Sequence, residues 1–395
     1  MSAEPTAPRP RLAVLFSVIV VDLIGFGIVV PILPFWAERF GANGFMLGMI
    51  LASHALMQFL LAPTWGRLSD RWGRRPVMLI TIAGTAVSLL GLGFADSLVQ
   101  IFIARICAGA FGANTSVATA YLTDITDESE RTRWMGMVGA SFGVGFTLGP
   151  PIGGLLAGIS HGTPMFFAAS LAFANLIWAA WRLVEPKRSR PPAEPAVRNR
   201  FDALRNDAVR RICLVYFLYS LAVTQLETVF AYFMFHRFEF RELGVAMLMF
   251  AMAIIMGGIQ GGGMKRLAER FPERSLALTG LGTLAVGFSL LPLVGSVAAL
   301  LAPLTILAVA RAIAQPPLMS LASIEADEDD RGIVMGVFQS SAAGARIVGP
   351  LIAGALYDQG QTWPFWMAAL LASGAAALAF GLRRPARHPK TQQVR

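Results

Sequence analysis

Gly66-Arg67-Leu68-Ser69-Asp70-Arg71-Trp72-Gly73-Arg74-Arg75 lies between apolar runs at 44–65 and 76–95. Runs of about 20 apolar residues are the length of a membrane-crossing helix, and an Arg-rich gap between two of them reads as a loop held in the cytoplasm. Topology alone accounts for the arginines but not for Asp70, Gly66 or Gly73. The two glycines permit close helix approach and a tight turn, and Asp70 can pair with an arginine or cap a neighbouring helix. Arg71, Arg74 and Arg75 supply donors for carboxylates or lipid phosphates. The stretch reads as a latch at the cytoplasmic face.

The same alternation of apolar run and polar gap extends over the chain. Of its 395 residues, 55% are hydrophobic and 14% charged, which leaves too little polar surface to coat a soluble globule. The runs lack the two-residue alternation of barrel strands, and in lipid each backbone polar group must be satisfied within its own segment. The expected fold class is therefore all-α and membrane-embedded. Spans are expected at 12–35, 44–65, 76–95, 98–123, 134–158 and 163–184, then at 211–236, 243–264, 275–293, 297–322, 333–356 and 362–382. A polar, Pro- and Arg-rich stretch separates the two sets, giving a first six-helix bundle over 1–184, a linker over 185–209, and a second bundle with a short basic tail over 210–395.

With the N-terminus inside, the inner segments hold 27 of the 33 Lys and Arg, and the outer loops hold only Arg39, Arg237 and Arg241. Both termini are thus expected in the cytoplasm. The net charge of +9 spreads along the inner rim beside anionic lipid, so it marks membrane and not nucleic acid. The apolar run after residues 1–11 is too long for a signal-peptide core and has no small-residue cleavage site, so the first span reads as its own insertion signal. Cys107 and Cys213 fall on different spans, offer no disulfide framework or metal-ligand spacing, and are assigned to packing. The chain carries no nucleotide-binding Gly-Lys-Ser/Thr loop, no His-Glu-x-x-His and no Gly-x-Ser-x-Gly, so neither an enzyme nor a cofactor is expected.

The halves repeat. Ala104-Arg105 returns as Ala310-Arg311, and Gly149-Pro150-Pro151-Ile152-Gly153-Gly154 returns as Gly349-Pro350-Leu351-Ile352-Ala353-Gly354. Six plus six helices with parallel halves fit a transporter whose site lies near midplane between them. On three motifs the chain resembles the major facilitator superfamily, specifically the twelve-helix drug:proton antiporter branch that includes the tetracycline efflux proteins. The loop Gly66-x-x-x-Asp70-Arg71-x-Gly73-Arg74-Arg75 matches the family's inter-helix signature. Gly145-x-x-x-Gly149-Pro150-x-x-Gly153-Gly154 is similar to the antiporter signature, and Asp22-Leu23-Ile24-Gly25-Phe26-Gly27 through Pro34 is similar to the first-helix signature. The resemblance implies two pseudo-symmetric bundles, export rather than uptake, a proton gradient and no cofactor as the driving force, and a multi-pass place in the bacterial inner membrane. Independently, Gly139, Gly143, Gly145, Gly149, Gly153 and Gly154 leave a groove on the fifth span where another helix can approach, and Pro150 removes a backbone bond and bends it.

Five charges fall at depth, where each costs about 2–3 kcal/mol or more and marks an ion or substrate path. Asp22 stands 11 residues into the first span, about 16 Å up and near midplane. It is the expected proton carrier, since desolvation favours the neutral form of an acid. Arg105, in the fourth span, needs a partner; Asp22 or a bound anion can serve, with a structural salt bridge as the alternative. Glu227 is a second proton or cation site, or a local partner for Arg346 or Arg311. Arg346 shares a helix face with Gln339, Arg311 with Gln315, and His54 with Gln58; all six are expected to line a substrate cavity, with His54 equally readable as a hydrogen-bonded structural residue. Abundant Phe, Met and Trp suit an adaptable apolar pocket, though none is singled out.

The expected function is a proton-coupled exporter of an amphipathic drug-like molecule or metabolite, working as a monomer among membrane lipids by alternating access. Three alternatives stay open. One is an uptake symporter or facilitator for an organic anion or nutrient, which three buried arginines against two acids favour. The second is a flippase for a lipid or lipid-linked metabolite, and the third is a signalling or scaffold protein whose buried charges are all paired.

Overall fold

The computed structural model describes residues 9–126, 128–186, 204–325 and 331–382. The greater part of the expected linker and the basic tail lie outside the described residues. The helices are α1 (Arg9–Arg39), α2 (Gly44–Trp72), α3 (Arg74–Gly93), α4 (Leu98–Phe111), α5 (Asn114–Ile125), α6 (Glu128–Ala157), α7 (Thr163–Arg182), α8 (Asp207–Phe238), α9 (Glu242–Gly258), α10 (Met264–Arg270), α11 (Glu273–Leu290), α12 (Val297–Ile324), α13 (Arg331–Gln359) and α14 (Trp363–Phe380). No strand occurs among the described residues. The fold is all-helical, as apolar runs with internally satisfied backbones require.

Eleven segments among the described residues are long and apolar enough to cross a membrane. The helix α13 occupies the remaining place in the expected order. Most observed ends fall within about six residues of the sequence expectation, but α2 continues through Trp72 and α3 starts at Arg74, so the stretch expected as a loop is helical except at Gly73. The reasons are local. The Asn43 side chain accepts from Met46 N at 2.8 Å and starts α2, and Ser97 and Ser296 cap α4 and α12 in the same way. Gly73 takes φ +108° between α2 and α3, a left-handed turn that Gly alone adopts without strain.

Two interruptions were not legible in the runs. The fourth span is two helices, α4 and α5, with a break at Gly112 and Ala113. The eighth passes through a π-helical turn, Ile259–Gly263, between α9 and α10.

The chain clusters into two compact units. One contains α1–α7 together with Thr224–Gly257 of α8 and α9 and Arg346–Pro364 around the end of α13. Within it α1 is the central helix, packed along α6 and α7 and against α5. Leu15, Val18, Ile19, Val77, Met78, Val117 and Tyr121 fill the interior there. The other unit contains the first part of α8, α10–α12, the first part of α13, and α14. Its core is the α11–α12 pair and the stacked rings of Tyr216 and Phe338, 3.8 Å apart.

Candidate functional site

Asp22 sits midway along α1 and is half-buried. Its Oδ1 accepts from Asn114 Nδ2 at 2.7 Å, and the same amide reaches Thr85 Oγ1 at 3.2 Å. Asp22, Thr85, Asn114 and Asn175 line a narrow crevice among α1, α3, α5 and α7, walled otherwise by Val18, Val21, Ile82, Leu89 and Ala172. Ser17 Oγ, one turn below on α1, donates to Asn175 Oδ1 at 2.9 Å. A carboxylate in an apolar wall, held by neutral amide and hydroxyl groups, can exist in either protonation state without breaking an ion pair.

Arg105 is buried on α4 and lies on the α2 side of the break, beside the His54 ring. Pairing of Arg105 with Asp22, expected from the sequence, is not among the ion pairs of the described residues. The break separates them: α4 turns Arg105 toward α2, and α5 presents Asn114 to α1 instead. The interruption also reassigns Gln58. Its Nε2 donates to Gly112 O at 2.6 Å, and Trp65 Nε1 donates to Ala110 O at 2.6 Å, so both side chains of α2 satisfy carbonyls that the end of α4 leaves open.

At the Arg-rich loop, Arg74 is the hub. Its Nη1 meets Asp70 Oδ1 at 2.7 Å and Ser69 Oγ at 2.7 Å, and its Nε meets Asp124 Oδ2 at 2.7 Å. The Glu185 carboxylate, beyond α7, accepts from the backbone N–H of Arg74 at 2.6 Å and of Arg75 at 2.9 Å, capping α3 beside Gly73. Arg75 donates onward to Ala180 O at 2.7 Å. Arg71 is exposed. Gly66 has nothing among the described residues within 4 Å of where a Cβ would stand, so the close approach expected there does not occur. Asp124 and Glu185 belong to this cluster and were not singled out, because each comes from a distant helix end.

On α6 the glycines divide. A Cβ on Gly149 would stand 2.7 Å from Gly27 Cα, one on Gly145 closer still to Leu23 Cβ, and one on Gly153 2.9 Å from Ile28 O, all on α1. Gly154 instead faces Leu243 and Ala246 of α9, and Pro150 touches Gly27. Gly139 and Gly143 face open space, so the groove is narrower than expected. The glycine face of α6 is thus seated on the stretch of α1 that follows Asp22.

The remaining residues expected in the cavity are Arg311 and Gln315, half-buried on α12, with Gln339, Arg346 and Glu227 exposed on α13 and α8. Gln225, two residues before Glu227, is fully buried and donates to Gly349 O at 3.3 Å.

A further cluster, not foreseen, occupies the face opposite the Arg-rich loop. Asp358 accepts from Gly44 N at 2.7 Å and Phe45 N at 2.9 Å, capping α2. His236 bridges Glu38 Oε1 at 2.8 Å and Tyr357 Oη at 3.0 Å, and His161 meets Glu242 at 3.2 Å.

Apolar helices in this order, a lone acid at mid-span and paired charges at the helix ends define a multi-pass membrane transporter. The chain belongs to the Major Facilitator Superfamily, whose sequence model matches residues 15–345 and 263–395. It is therefore a transporter and not an enzyme. Among its relatives is the Tetracycline resistance protein, class B, of Escherichia coli, 30% identical over 87% of each chain. The crystal structure of the human organic anion transporter MFSD10 (TETRAN) is similar with TM-score 0.70 and 27% identity, over 94% of this chain and 99% of that one. A bacterial homolog of the human lysosomal transporter Spinster, in an inward-facing and occupied conformation, shares the fold with TM-score 0.81 at 14% identity, over 96% of this chain and 98% of that one.

Proposed function

We propose that the protein is a proton-coupled exporter of an amphipathic, drug-like molecule, driven by the proton gradient without a cofactor, in a bacterial inner membrane. The halves 1–184 and 210–395 rock about a midplane site, with the Arg-rich loop and both termini on the cytoplasmic side. The observation that carries this reading is Asp22, the one titratable group in an apolar crevice at mid-span, bonded to a neutral amide. An acid so placed loads and unloads a proton with small rearrangement, which is the property coupling demands. The likeness to tetracycline resistance proteins supports both the direction and the substrate class.

Proteoliposomes with an imposed pH gradient, and tetracycline as the probe, test the reading. Asp22→Asn is expected to lose proton-driven accumulation while keeping tetracycline–tetracycline exchange. Proton exchange at the normal stoichiometry in that variant would overturn it.

A second reading, transport of an organic anion, is favoured by Arg105. This guanidinium is buried and has no acidic partner among the described residues, as a site for an anionic group requires. Similarity to the human organic anion transporter points the same way. The direction of counterflow under a proton gradient separates the two.

A further inference from the structure

We propose that Asn114 is a positioning residue that sets when Asp22 releases its proton, and that the break in the fourth span is built to hold it there. The inference rests on Asp22 as the proton carrier and adds the group that governs it.

The break is a constructed feature. Phe111 ends α4, Asn114 begins α5, and Ala113 N turns back to Phe111 O at 2.7 Å. An interruption at membrane depth leaves carbonyls without partners, and such groups cost several kcal/mol in lipid. Two of them are taken by dedicated donors from α2, Trp65 and Gln58. With its acceptors satisfied, the break can persist, and its consequence is the place of Asn114 at the first position of α5.

There the amide is 2% exposed and divides its Nδ2 hydrogens between Asp22 and Thr85, while its Oδ1 has no partner. An asparagine offers a donor and an acceptor on one rotatable group. As donor it serves the ionised carboxylate. Turned over, its free Oδ1 is the acceptor that the protonated acid needs. One side chain therefore satisfies both states of Asp22, and the hydrogen bond to the ionised form weights the balance between them.

No charge among the described residues is paired with Asp22. Among the described side chains, the titratable groups of the helices packed around Asp22 stand at their Arg-rich ends: Arg74 and Arg75 on α3, Tyr121 and Asp124 on α5, Glu130 on α6, and Arg182 on α7. Arg74 is engaged with Asp70 and Asp124, and Tyr121 donates to Val184 O. His54 and Arg105 face each other across α2 and α4.

The test follows the protonated acid directly, by its infrared carbonyl band in the purified full-length protein, identified as the band lost in Asp22→Asn. Asn114→Leu, which keeps the size and removes both polar atoms, is expected to move the titration midpoint of that band upward by about one pH unit. Asn114→Ser, whose hydroxyl both donates and accepts, is expected to move it less. Should the leucine variant fail to fold, Asn114→Ser and Thr85→Val, which frees the amide from its tether, carry the test. Midpoints that stay at the parental value in the folded variants overturn the inference. The outcomes are separable: normal proton exchange by Asp22→Asn overturns the carrier reading whatever the band does, and an unmoved band overturns only the role of Asn114.

Discussion

At the scale of residues, Arg74 shows how one side chain fixes a loop. It is 13% exposed and serves two carboxylates and a hydroxyl from three directions, which the planar fork of a guanidinium allows and the point charge of an ammonium does not. Arg74→Lys is therefore expected to be costly although it conserves charge, by about 1–3 kcal/mol as partly buried acceptors lose their donors. A thermal-unfolding series in detergent should show Arg74→Lys well below the parent, with Arg71→Ala, at an exposed position, within about 0.5 kcal/mol of it. If the two variants unfold at the same temperature, the latch contributes nothing to the folded state. That Asp70 can pair with an arginine of the same stretch was readable from the sequence, and the structure shows that arginine to be Arg74. Its other partners were not, since Asp124 and Glu185 lie 50 and 111 residues away from Arg74, at helix ends whose meeting depends on packing.

At the scale of elements, the α1–α6 contact turns on backbone approach. At Gly149 any side chain meets the backbone of Gly27, which cannot give way as a rotamer does, whereas Gly143 opens onto empty space. Gly149→Ala is expected to destabilise by about 1–3 kcal/mol through overpacking, and Gly143→Ala to be neutral or to stabilise by about 0.5–1 kcal/mol through helix propensity. The same unfolding measurement checks both, and equal effects would mean that the helices part freely at this seam. Motif glycines identified the helix correctly but not which of them bear the contact, because a 3.6-residue repeat places several glycines on one side without saying where the neighbour crosses. The fourth span carries a similar lesson. Hydropathy averages over a window, so 98–123 read as one helix although it breaks at Gly112 and Ala113. Gln58 was accordingly read as a cavity residue; in the structure it closes that break.

At the scale of the whole molecule, the apolar runs determined the architecture, because lipid permits little else. How the helix ends meet on the face opposite the Arg-rich loop was not in the pattern, since its determinants are single residues near the ends of helices far apart in sequence. Within the first compact unit, at the ends opposite the Arg-rich loop, Gly44 meets Gly354 through the backbone, Asp358 caps the first amides of α2, and His236 stands between Glu38 and Tyr357. A carboxylate on a helix N-terminus adds about 1 kcal/mol, so Asp358→Asn is expected to lower the closed-to-parted ratio roughly five-fold. The alternating-access cycle proposed above would require these contacts to part once per cycle. With Cys107 and Cys213 first replaced by alanine, the paired substitutions Glu38→Cys and His236→Cys place two thiols where a short, cleavable bifunctional reagent spans them. Bridged protein in proteoliposomes is expected to lose proton-driven tetracycline transport and to regain it when the bridge is cleaved, while either single substitution treated in the same way keeps it. Unchanged turnover in the bridged protein would show that Glu38 and His236 never separate during the cycle, and the gate on that face would then have to lie elsewhere.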